Sequence, residues 1–229
     1  MSDPAPGVLD LLASGSGEIW EPAWLSLRCA AAAALLALPF GVPLGLLAGS
    51  GPSRWRRPVR AFVDAGLALP TTAIALVLYL LLSRRGWFGE AGLLFTPWAV
   101  ILGQALVALP VVVMFTADAA ASLDPRARWT ALTLGATPLR RALWTCGEIR
   151  GSLLAGLLAA FGRAAGELGA ALILGGNIRG ETRTLTTAIT LETAKGEFER
   201  AVALGIVLVA FAVAVIVSVR LLAPRRAGA

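Results

Sequence analysis

Four stretches of this chain carry no Asp, Glu, Lys or Arg: residues 29–53, 65–83, 91–117 and 201–219. A fifth, 151–178, is interrupted only by Arg163 and Glu167. An α-helix needs about 20 apolar residues to cross a bilayer, and each run is long enough. The pattern predicts five transmembrane helices, near 25–49, 62–82, 96–117, 151–175 and 201–221. Spanning β-strands are excluded, because they alternate polar and apolar positions in segments of about 10 residues. The expected fold class is therefore all-α, a polytopic membrane protein. Segment 8–20, VLDLLASGSGEIW, is too short and too polar to cross. It is expected to form a turn or two at the outer interface, anchored by Trp20 and Trp24. Within 176–199 the stretch TLTTAITLETA is half apolar, which suits a short helix set into the protein better than a solvated loop.

Composition supports a lipid solvent. Of 229 residues 57% are hydrophobic and 15% charged, with a mean hydropathy of +0.77. A soluble domain carries about 25% charge. The chain has no histidine, which removes the commonest general base and metal ligand. Cys29 and Cys146 lie in or near different apolar segments and suggest neither a disulfide nor a metal site. No paired acids and no Ser/Lys dyad fall within the spans, and no GxxxxGK[ST] phosphate loop is present. Neither catalytic residues, a metal nor a cofactor is expected. The net charge of +6 raises the question of nucleic acid, but the arginines sit between hydrophobic runs, so topology explains them and no nucleic-acid partner is expected.

Those arginines set the orientation. Residues 50–61, 118–150 and the carboxy-terminal end together hold 12 of the 20 basic residues, while Arg84, Arg85, Arg179, Arg183, Lys195 and Arg200 fall on the other side. The positive-inside rule places the amino terminus outside and the carboxy terminus in the cytoplasm, consistent with five crossings. The expected organisation is an external or interfacial segment 1–24, a membrane domain 25–222 with a cytoplasmic loop 118–150 and an external loop 176–199, and a cytoplasmic tail 223–229. The acidic amino-terminal stretch, with Asp3, Asp10, Glu18 and Glu21, does not suggest a cleavable leader. Arg28 is expected to snorkel to the headgroups from the outer end of the first span.

Loop 118–150 reads as two short helices. Asp124-Pro125 and Thr137-Pro138 each place a capping side chain before a proline at the first helical position, and Gly135 suits the left-handed residue that ends a helix. The stretch WTALTLGATPLRRALW, residues 129–144, resembles the cytoplasmic loop of ABC importer permeases. Gly135 matches that family's glycine and Ala131 its second alanine, whereas Trp129 and Thr130 replace its Glu and first Ala, and Gly147-Glu148 stands where Leu-Pro is usual. Residues 159–196, AAFGRAAGELGAALILGGNIRGETRTLTTAITLETAKG, are similar to oxyanion importer permeases of the molybdate, tungstate and sulfate group, with the shared order Arg-Ala, Gly-Glu, Gly-Asn. Residues 67–89 resemble the same group, and GGNIRG with its continuation resembles the tungstate branch more than the molybdate one.

The resemblance implies a type I ABC importer permease: one half of a homodimeric pore in the cell membrane of a prokaryote. Its partners would be cytoplasmic ABC ATPase subunits that carry the hydrolysis, and an external oxyanion-binding protein. It implies an ATPase-docking element around Trp129, Thr130, Ala131, Leu134, Gly135, Ala136, Thr137, Leu139, Arg140 and Arg141. Arg163, Gly166, Glu167 and Gly169 become candidates for the pore or gate. Asn177, Arg179, Thr182 and Arg183 become candidates for the external mouth or for docking the binding protein. A molybdate or sulfate permease is the alternative within the group; a secondary transporter is a more distant one, disfavoured by the absence of a visible inverted repeat.

A lone charge at the bilayer centre costs about 2.5–3.5 kcal/mol on insertion scales, so Arg163 needs help. Glu167 lies one turn away on the same face of a continuous helix. Because the two cancel, they present no net field to an anion, and the arithmetic favours a structural or gating pair over direct ligation of cargo. On that reading, removing Arg163 alone strands Glu167 and is more damaging than removing both. Gly41, Gly45 and Gly49, and likewise Gly162, Gly166 and Gly169, have the spacing that lets helices approach closely, within the subunit or across a dimer. Kinks are expected at Pro39, Pro43, Pro70 and Pro110.

Overall fold

The computed structural model describes residues 7–13, 15, 17–50, 53–124, 126, 133 and 135–222, and among these the regular elements are helical. In chain order they are α1 (Val8–Ala13), α2 (Gly17–Ser50), α3 (Ser53–Ala68), α4 (Thr71–Leu82), α5 (Pro97–Ser122), α6 (Pro138–Glu148), α7 (Arg150–Ala165), α8 (Gly169–Gly175), α9 (Leu185–Lys195) and α10 (Phe198–Leu222). Helices α2, α5 and α10 are each long and apolar enough to cross a membrane. Two bent pairs, α3 with α4 and α7 with α8, raise the number of spans to five if each pair counts as one.

The bends correct two of the sequence expectations. The run read as one helix over 62–82 turns by 98° between α3 and α4. Pro70 is extended, with φ −61° and ψ 121°; it has no N–H to donate and keeps Leu69 out of the helical region, so the helix must stop and restart. The run read as one helix over 151–175 bends by 62° between α7 and α8. The first span is also longer than expected. It begins at Gly17 rather than near 25, so Trp20 and Trp24 lie in its first turns instead of anchoring a separate segment. Its 34 residues extend about 51 Å, well beyond the hydrocarbon core. Pro39 and Pro43 leave α2 unbroken, and Pro110 leaves α5 unbroken.

The core is built from small residues. The most extensive helix pair is α2 with α5, joined with α7 by a cluster that includes Ala30, Ala33, Ala34, Val100, Ala108, Val112, Ala160 and Ala164. A Cβ on Gly41 would lie 2.7 Å from Val112 Cγ1, one on Gly45 would overlap Thr116, and one on Gly49 would overlap the Ala117 carbonyl. The glycine stripe of α2 is therefore spent on packing inside the subunit: it lets two long helices approach until side chains of α5 touch the α2 backbone. Helix α3 runs alongside α5, with Val59 and Val63 packed on Ala48, Val113 and Ala117. Helix α4 turns away from it and packs on α8 through Ala75, Leu82, Ala170 and Leu174. At the other end, α1, the start of α2, α9 and α10 share a cluster around Leu11, Ile19, Leu185 and Leu204.

Candidate functional site

Arg163 and Glu167 are not stacked on one helix. Arg163 occupies the last turn of α7, and Glu167 lies in the break between α7 and α8. The pair still closes: Arg163 Nη1 is 2.8 Å from Glu167 Oε2, with the arginine side chain 41% exposed and the glutamate 4%. Glu167 Oε1 accepts the backbone N–H groups of Gly169 at 3.1 Å and Ala170 at 3.3 Å. A carboxylate thus caps the amino end of α8, where free N–H groups and the helix dipole favour negative charge. The sequence showed the charge pair but not the cap, because the cap exists only once the helix has stopped at Gly166.

The break is where several elements meet. The Thr186 hydroxyl donates to the Glu167 carbonyl at 3.0 Å, tying α9 to the bend. A Cβ on Gly169 would sit 2.6 Å from Thr72 Cγ2, so the restart of α8 lies against the restart of α4. The two interruptions, at Pro70 and at Gly166–Leu168, are spatial neighbours. Gly166 itself ends α7 and, with Phe161 and Gly162, faces an apolar groove of about 280 Å³ toward Leu208 and Phe211 of α10.

Segment 176–184 folds back as a compact turn. Asn177 adopts a left-handed φ of 54°, tolerated by a short polar side chain. Arg183 Nε donates to Asn177 Oδ1 at 3.2 Å. Thr182 is fully buried; its hydroxyl donates to the Gly175 carbonyl and accepts from the Ile178 N–H, so it holds the turn from inside. Arg179 is exposed. Helix α9 is then capped by Thr184, in a reciprocal capping box with Thr187, and Ser26 of α2 accepts the Leu185 N–H at 2.7 Å. The short inserted helix expected within 176–199 is thus α9. Ser26 and the buried hydroxyls of Thr184, Thr186 and Thr187 were not singled out in the sequence, although Thr184 and Thr187 have the spacing of a capping pair.

In the loop before α7, Gly135 is left-handed at φ 72°. Thr137 caps α6 by accepting the Arg140 N–H at 3.4 Å, with Pro138 at the first turn. Leu139 and Leu143, one turn apart, are 69% and 64% exposed. Ala136 and Arg141 are half-buried, and Arg140 is exposed. Trp129, Thr130, Ala131 and Leu134 lie outside the described residues. Among the described residues no group of three His, Cys, Asp or Glu side chains is placed to hold a metal ion.

An all-helical membrane domain with two interrupted spans and a capped loop ahead of the second interruption is the frame of a transport permease. Residues 41–228 match the family of binding-protein-dependent transport system inner membrane components, and the chain belongs to that family. It is similar to the tungstate uptake system permease protein TupB of Campylobacter jejuni, with 42% identity over 69% of this chain and 66% of that protein. It is also similar to a probable anion ABC transporter permease protein of Haloferax volcanii, 40% identical over 83% of this chain and 84% of the relative. The TupB of Peptoclostridium acidaminophilum is 33% identical over 90% of this chain and 91% of its own length.

Proposed function

We propose that this chain is the membrane-spanning subunit of an ATP-driven importer of an oxyanion, with tungstate as the cargo. The observation that carries the reading is the 42% identity to a tungstate permease, joined by a second tungstate permease and an anion permease that align over most of their lengths. Two copies of the chain form the pore. A separate cytoplasmic ATPase supplies the hydrolysis, docking at Trp129–Arg141, and an external binding protein delivers the ion. The amino terminus is outside and the carboxy terminus in the cytoplasm, as the distribution of arginine favours.

In this mechanism the chain moves no proton and breaks no bond. It converts closure of the two ATPases into a change of pore access, and so needs an element with two arrangements. The neighbouring bends at Pro70 and Gly166–Leu168 support placing that element there. Arg163 and Glu167 serve as a strap across the second bend rather than as a seat for cargo: the amino end of α8, which would favour an anion, already holds the chain's own carboxylate. The exposed Leu139 and Leu143 of α6 support a docking surface that continues from the Gly135 bend into α6.

The test is reconstitution of the permease with its ATPase and binding protein in proteoliposomes. The expected result is ATP-dependent tungstate uptake that an excess of sulfate does not suppress. Uptake that proceeds without ATPase or binding protein overturns the reading in favour of a secondary transporter, and preferential uptake of molybdate reassigns the cargo.

A further inference from the structure

At the end of the molecule formed by the starts of α2 and α10 lies a cleft of about 310 Å³. The first turns of α2, the 179–183 turn and one face of α9 complete its walls. On the proposed orientation this is the external side, facing the binding protein. Half of its lining is charged, and the charges sort into two groups.

The first group is compensated. Lys195 Nζ lies 2.9 Å from Glu192 Oε1, and Arg200 Nε lies 3.5 Å from Glu18 Oε2. The second group is three arginines: Arg28, Arg179 and Arg183. Among the described residues none of them forms an ion pair. The Arg183 guanidinium is held by Asn177 oxygens, which carry no charge. Arg28 lies over the Trp24 ring, 4.8 Å from its centroid, so its position is set by an aromatic face that leaves its N–H groups free. Arg28, expected to reach toward the headgroups at the outer end of its helix, also lines the wall of this cleft. Counting the lining, five cations against the carboxylates of Glu18, Glu21 and Glu192 leave a net charge of +2.

We infer that this cleft is a weak binding site for a small oxyanion dianion, held by Arg28, Arg179 and Arg183 on the external face before the ion enters the pore. Three features support a holding site rather than a tight one. The net charge matches a dianion. The guanidinium groups present planar N–H forks that suit tetrahedral oxyanions. The three acids and the open volume keep the ion partly hydrated and able to leave, as conduction requires. The inference deepens the transport reading and rests on it for the side of the membrane.

The experiment is direct binding of tungstate, and separately of sulfate, to the purified permease–ATPase complex in nanodiscs with no binding protein present, followed by calorimetry. Saturable binding is expected, weakened about tenfold or more in Arg28→Gln and Arg179→Gln. Glu21→Gln raises the net charge and is expected to tighten binding, a gain that misfolding cannot produce. Absence of saturable binding, or binding indifferent to all three changes, overturns the inference. In a separate arm with the binding protein added, arginine variants that weaken only its association, leaving direct oxyanion binding unchanged, overturn the inference as well and make the cleft a protein-docking surface. ATP-dependent uptake by the wild-type complex is measured in parallel. Uptake without direct binding overturns the cleft alone; direct binding without uptake of any oxyanion overturns the transport reading alone.

Discussion

Arg163 Nη1 touches Glu167 Oε2 at 2.8 Å, yet Glu167 also accepts two N–H groups at the start of α8. The pair is therefore unequal. Losing Arg163 leaves Glu167 with two donors; losing Glu167 leaves a helix start uncapped and a cation without its partner. Pairing alone made Arg163→Ala more damaging than the double replacement. The cap reverses that order. Arg163→Ala is expected to cost about 1 kcal/mol, and Glu167→Ala about 2–3 kcal/mol, with the double variant close to Glu167→Ala. Glu167→Gln, whose amide oxygen can still accept at the cap, should fall between. Thermal melting of the four variants in one detergent checks the ranking, and a double variant more stable than Glu167→Ala rejects it.

The α2–α5 contact gives a sharper stability test. A Cβ on Gly45 would overlap Thr116, so Gly45→Val must push two long helices apart. The cost is expected to be at least about 1–3 kcal/mol, the usual range for overpacking. Gly205 of α10, where nothing lies within 4 Å of an added Cβ, is the control, and Gly205→Ala should melt like the unchanged protein. Equal melting of the Gly45 and Gly205 variants counts against the packing described.

The apolar helices were legible from charge-free runs, three as single spans and the other two as bent pairs, because the bilayer penalises every unpaired charge and every unpaired backbone group along a crossing. The interruptions were less so. Pro70 was visible as a local kink but not as a 98° turn, since a proline dictates where a helix stops and not where the chain goes next. Nothing in residues 151–175 but glycine content hinted at the second bend; it depends on Thr186 and Thr72, which arrive from other parts of the chain, and on the local Glu167 carboxylate turning to cap a helix start that exists only after the break. The surroundings of Arg28 were hidden for a related reason. Its neighbours in the sequence are apolar, and only the fold brings the 179–183 turn and α9 beside it.

Cys146 reports topology. Burial pushes its thiol above its ordinary value, so less thiolate is present near neutral pH and alkylation is slow. Labelling by a membrane-impermeant maleimide is expected only from the cytoplasmic side, and its rate should rise with pH, approaching about tenfold per unit while the pH stays below the pKa. Cys29, 2% exposed, should stay silent. Labelling from outside inverts the proposed orientation.

Gly135 has a φ of 72°, which a proline cannot adopt and a β-branched residue adopts only under strain. Gly135→Pro or Gly135→Val should therefore redirect the chain entering α6 and abolish co-purification of the ATPase while leaving membrane insertion intact. A bulky charge at Ala131 is expected to do the same. Retention of the ATPase by these variants removes the docking assignment.

The glycine stripe of α2 has a mechanical consequence. Where Val112, Thr116 and Ala117 meet bare backbone, the two helices cannot roll or slide without collision, so α2 and α5 move as a single stiff strut. In the proposed transport cycle, a push from the ATPase would pass along that strut and be taken up at the two neighbouring bends. The smallest side chains in the molecule thereby decide which parts of it are lever and which are hinge.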